Sequence, residues 1–123
     1  MSWTYKVASG VLLDANGRAV ATGYSGNGAS MNNPAAENVQ GHGPIPEGQW
    51  MIGSFFDDPG GKGPIVAHLI PEDVPELGDR SGFMIHGDNA QLNHTASDGC
   101  IILPRFARQM IANSGDVTLI VTA

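Results

Sequence analysis

Glycine and proline cut this chain into short pieces. They number 17 and 8 in 123 residues, about a fifth of the chain, which falls short of low-complexity sequence but favours turns and strands over long helices. One stretch escapes the punctuation. Leu103, Phe106, Ala107, Met110 and Ile111 recur at helical spacing and form one apolar stripe. Pro104 suits the first helical position and Gly115 follows as a stop. The remaining apolar runs predict strands at 3–7, 11–14, 18–22, 49–56, 64–70, 83–86 and 117–121. Asn16-Gly17 predicts a two-residue type I′ hairpin turn, which needs positive φ at both positions. Residues 24–43, rich in Gly and Asn, read as one long loop. The expectation is a mainly β fold with one short helix, residues 1–123 forming a single domain. A domain of this size needs neither disulfide nor metal to hold together.

Charge narrows the function classes. Twelve acids against six bases give a net charge of −6, with no basic patch. That argues against nucleic acid and against anionic membrane surfaces. Glu72, Asp73, Glu76 and Asp79 read as a solvated acidic loop. No run of about 18 apolar residues is present, so no membrane-inserting helix is expected. The opening Met-Ser-Trp-Thr-Tyr-Lys lacks the apolar core of a signal peptide, so any export would need another machine. His68, in phase with Val66 and Ile70, reads as a packed structural histidine.

The chemistry concentrates between residues 83 and 103. Cys100 is the only cysteine, so it makes no internal disulfide and is a candidate nucleophile. Phe83-Met84-Ile85-His86 reads as a short strand ending in a histidine, with Met84 and His86 on the face opposite Phe83 and Ile85. The chain then loops back through Ser97-Asp98-Gly99 to the thiol. A thiol works as the thiolate, and His86 is the group that would generate it. Gly99 allows a tight turn, and the Gly99 and Cys100 amides are candidates for an oxyanion hole. Ser97 or a backbone carbonyl would orient the imidazole. Three other readings compete: His94 as the base, an inert buried cysteine, and zinc held by His86, His94, Asp98 and Cys100. The spacing of that last set matches no standard zinc pattern, so neither metal nor cofactor is expected.

At these residues the sequence resembles the L,D-transpeptidase family, whose signature is a histidine-glycine followed by Ser-His-Gly-Cys. Ile85-His86-Gly87 and Ser97-Asp98-Gly99-Cys100-Ile101 carry the match. Asp98 replaces the signature's second histidine, leaving His86 to act alone. Ile102 stands where many members carry arginine. A wider resemblance is to the small L,D-transpeptidase-like effectors delivered by type VI secretion systems. It rests on Trp3-Thr4-Tyr5, Gly23-Tyr24-Ser25-Gly26, Asn32-Asn33-Pro34, the turn from Gly43 to Gly48, Arg80-Ser81-Gly82-Phe83 and Ile85-His86-Gly87-Asp88.

The resemblance implies an L,D-transpeptidase-like β-sandwich and a cysteine enzyme acting on peptidoglycan. Such an enzyme cleaves the terminal D-alanine from tetrapeptide stems, or exchanges it for another D-amino acid, through a Cys100 acyl-enzyme with His86 as base. It implies substrate contacts from Arg80, to a stem carboxylate, and from Gly87, Tyr24 and Ser25, with Asn32 and Asn33 along the groove. It also implies a cognate immunity protein, the type VI machinery as carrier, and action in the periplasm of a target bacterium. The competing class is a peptidoglycan-binding module that keeps the fold without the chemistry.

Overall fold

The computed structural model describes residues 1–60, 62–88 and 97–123. Strand β1 (Ser2–Lys6) runs parallel to the last strand, β10 (Thr118–Thr122), and antiparallel to β2 (Val11–Leu13). β3 (Ala19–Thr22) completes the N-terminal meander beside β2. The hairpin forms where expected, but its turn differs from the type I′ prediction. The Gly17 amide donates to the Asp14 carbonyl at 3.0 Å, and only Gly17 takes positive φ (78°). Asp14 Oδ1 accepts from the Asn16 and Arg18 amides and stabilises this wider turn. A lone left-handed glycine after an ordinary turn is the three-residue hairpin solution.

The sheet runs β3-β2-β1-β10, then β5 (Gly48–Ile52), β7 (Gly63–Asp73), β8 (Met84–His86), β9 (Ile101–Ile102) and β4 (Tyr24–Ser25), with β6 (Phe56–Asp58) joined to β7. β5 (Gly48–Ile52) and β6 (Phe56–Asp58) divide the run predicted as one strand. β7 (Gly63–Asp73) is longer than predicted and takes in Glu72 and Asp73, expected in a loop. Its later half pairs with β5, and its earlier half with β6 and β8 (Met84–His86). Ile65, at φ 60°, breaks the alternation along β7. His68 lies on the exposed side with Ile70, between buried Ala67 and Leu69, so it stacks on Phe56 at 5.3 Å and is not packed in the core.

The sequence expectation of a long loop over 24–43 gives way to local structure. β4 (Tyr24–Ser25) pairs with β9 (Ile101–Ile102), and 3₁₀ turns follow at Gly28–Ser30 and Pro34–Ala36. The one helix, α1 (Arg105–Ser114), ends at a left-handed Gly115 as expected. Pro104 precedes it as the N-cap residue. Its buried face is Ala107, Arg108 and Ile111, while the predicted Phe106 and Met110 are exposed. The helix is turned so that Arg108 reaches the Pro64 carbonyl at 2.6 Å.

Trp3, Tyr5, Leu12, Trp50, Ile85, Ile101, Leu119 and Ile111 form one apolar core between the sheet and α1. Among the described residues the architecture is mainly β with a single short helix. No helix among the described residues is long and apolar enough to cross a membrane.

Candidate active site

β8 and β9 lie side by side and parallel, with Ile85 opposite Ile101 and His86 opposite Ile102. In parallel strands, residues in register point to the same face. Ile85 and Ile101 face the core, so His86 and the residue just before β9, Cys100, belong to the other face. Both line one cleft of about 250 Å³, together with Lys62, Ser81, Gly82, Phe83, Asp98 and Gly99. The strands thus join two residues 14 apart in the chain. His94, the competing base, lies outside the described residues, and among those no metal-binding cluster forms.

His86 is buried. Its Nδ1 lies 2.7 Å from the Gly87 carbonyl, which only accepts, so Nδ1 carries the proton and Nε2 is left as the basic nitrogen. The carbonyl thus orients the imidazole, and Ser97 does not. Burial lowers the pKa of His86 below 6.5, and the charges of Lys62 and Arg108 push the same way; the Gly87 carbonyl and Asp58 oppose them.

Cys100 is half-buried, and its thiol donates to the Gly82 carbonyl over 3.7 Å. Burial raises its pKa above 9.0, partly offset by the Met84 amide, Lys62 and Arg80, while Asp98 adds to the rise. For the thiol, desolvation outweighs the nearby cations, and with the two shifts in opposite senses the pair favours a neutral thiol beside a neutral imidazole. No hydrogen bond joins the two side chains.

The turn before the sulfur is held from every side. Ser97 Oγ accepts from the Gly26 and Gly99 amides and donates to the Cys100 carbonyl at 2.6 Å. Ser25, fully buried, accepts from the Ile45 amide and donates to the Gly99 carbonyl at 3.0 Å. Asn27 Nδ2 donates to the Ser97 carbonyl and to Asp98 Oδ1. The Gly99 amide, expected in an oxyanion hole, is therefore engaged by Ser97. The Cys100 amide has no partner among the described residues and keeps that capacity.

The expected substrate contacts fall elsewhere. The Arg80 guanidinium lies over Phe83 and donates to the carbonyls of Glu37, Pro44 (2.8 Å), Gly43 (2.8 Å) and Asp98 (3.3 Å). It is buried and braces the 37–44 segment against the cysteine turn. Ser25 belongs to the same bracing. Gly87 sits against Arg108, whose Nη2 lies 3.0 Å from where a Cβ would stand. Tyr24 donates to Asp88 Oδ1 at 2.6 Å and, with Asn32, lines a separate and larger cavity of about 600 Å³. Asn33 caps the turn at Pro34. Neither Cys100 nor His86 borders that cavity.

Lys62 is the cleft residue that sequence reasoning missed. It lies in a glycine-rich turn 24 residues before His86, and no local pattern connects the two.

Residues 19–118 match the family model of the Tlde1 domain. No curated protein matches the chain.

Proposed function

The chain belongs to the Tlde1 domain family, a type VI secretion effector family, and from that premise we propose that it is a cysteine acyl-transfer enzyme acting on peptidoglycan. The reaction is removal of the terminal D-alanine from tetrapeptide stems, as an L,D-carboxypeptidase, or its exchange for another D-amino acid, as an L,D-transpeptidase. The observation that carries the reading is the parallel pairing of β8 with β9. It puts the only cysteine and a carbonyl-oriented histidine on one cleft.

The resting pair is neutral, so His86 acts as a general base during attack. Nε2 takes the thiol proton as Cys100 Sγ bonds to the carbonyl carbon of the third stem residue. The Cys100 amide faces the developing oxyanion. Collapse breaks the carbon–nitrogen bond, and His86 returns the proton to the departing D-alanine amine. A thioester remains. Water resolves it to a shortened peptide and free thiol, or the amine of another D-amino acid resolves it to an exchanged peptide. The proposal extends to delivery by type VI machinery into a target periplasm and to a cognate immunity protein in the producing cell.

The raised thiol pKa favours a second reading, a peptidoglycan-binding module of the same fold. Muropeptide digests read by mass spectrometry separate the two. The enzyme reading expects loss of one alanine from tetrapeptides with wild type and none with Cys100→Ala. Binding to intact sacculi with no mass change for either protein would move the assignment to the module.

A further inference from the structure

We infer that Lys62 is the carboxylate-recognising residue of the cleft, and that it selects peptides ending in a free carboxylate directly after the scissile bond. The inference rests on the acyl-transfer reading above and names the substrate feature which that site takes.

Three cations come near the site, and two are engaged. Arg80 is held by main-chain carbonyls, and Arg108 donates to those of Pro64 and Ile65. The Lys62 side chain has no hydrogen-bond or ion-pair partner among the described residues, and it lines the cleft with Cys100 and His86. Its main chain is anchored: the amide donates to Asp58 Oδ2 at 3.3 Å, and the carbonyl accepts from the Gly87 amide at 3.2 Å. The stem of this lysine is thereby tied to the residue after His86. Its charge acts on both the imidazole and the thiol.

The chemistry of a terminal residue fits that position. Its carboxylate carbon is three bonds from the scissile carbonyl carbon, roughly 4 Å away. A cation close to both reacting side chains is within reach of that carboxylate and of little beyond it. An internal peptide bond at the same place presents a neutral amide. Asp98 is the other charged group lining the cleft, and its carboxylate accepts from Asn27. It repels a second carboxylate and leaves Lys62 as the side to which the terminus turns.

Two measurements test this. The first compares cleavage of a tetrapeptide stem with that of its C-terminal carboxamide, in wild type, Lys62→Met and Lys62→Arg. Lys62→Met should lower kcat/KM for the free acid about tenfold more than for the carboxamide, and Lys62→Arg should restore most of the difference. The second needs no turnover. Alkylation of Cys100, the sole thiol, by iodoacetate relative to iodoacetamide should fall severalfold in Lys62→Met and recover in Lys62→Arg. Effects on the thiol itself cancel in that ratio. An unchanged ratio in Lys62→Met, or an equal loss on acid and carboxamide, overturns the role of Lys62. If wild type cleaves neither peptide, the acyl-transfer reading fails, and the alkylation ratio still decides whether Lys62 recognises a carboxylate.

Discussion

Gly99 has the least freedom to change of any residue at the site. Its φ of 136° is a conformation that L side chains rarely adopt, and an added Cβ would lie 2.5 Å from Arg80 Nη2 and 2.9 Å from Phe83 Cε1. Phe83 is fixed by its edge contact with Trp50 at 4.9 Å, and Arg80 by its carbonyls. Neither neighbour can yield cheaply. Gly99→Ala is expected to lower stability by about 3 kcal/mol, combining backbone strain with overpacking. Urea unfolding measures the loss. Slower alkylation of Cys100 under folded conditions should accompany it, because the turn that aims the sulfur would shift.

Between elements, Arg80 joins the 37–44 segment to the cysteine turn. A guanidinium serves because its fork of donors spreads over several carbonyls, and an ammonium is a point donor. Arg80→Lys is therefore expected to behave much like Arg80→Met. Each should cost on the order of 3 kcal/mol by leaving buried carbonyls unpaired, as read from urea midpoints. A lysine that restored full stability would show that charge alone suffices there. Ser25, Asn27 and Ser97 reinforce the same junction. β8 and β9 supply the register, and this polar junction supplies the aim.

For the molecule as a whole, burial of ionisable groups shapes stability against pH. His86 has a folded pKa below its ordinary 6.5, chiefly through desolvation. The unfolded chain then binds that proton first, so the stability His86 carries is complete above pH 6.5 and is lost as pH falls below it. Cys100 and Tyr5 are raised by burial above 9.0 and 10.0 respectively. The unfolded chain releases those protons first, so their contribution is full below pH 9.0 and is lost as pH rises. Urea midpoints should therefore form a plateau between about pH 6.5 and 9. His86→Gln should flatten the acid limb, and Tyr5→Phe the alkaline one. Tyr5→Phe should also do no harm at neutral pH, because the Tyr5 hydroxyl is buried without a hydrogen-bond partner.

Local chemistry was enough to read the hairpin at Asn16-Gly17, the helix before Gly115, the strand ending at His86 and the meeting of His86 with Cys100 on one cleft. Each depends on periodicity, a turn residue or a rare side chain, all visible within a few positions. The roles of Arg80, Ser25 and Ser97 and the place of Lys62 on the cleft were not legible, because the groups they meet come from far along the chain. Arg80 meets Gly43 across 37 residues, and Ser25 meets Gly99 across 74. The thiol depends on the fold in the same way. A cysteine near a histidine suggests an easily lost proton, but desolvation by the folded surroundings pushes the thiol pKa up. The sequence by itself determined the mainly β class, the one helix among the described residues and the candidate pair His86 and Cys100. Only the tertiary structure decided which polar groups brace the site and which one is left facing the cleft, because hydrogen bonding and burial are set by contacts that no local pattern encodes.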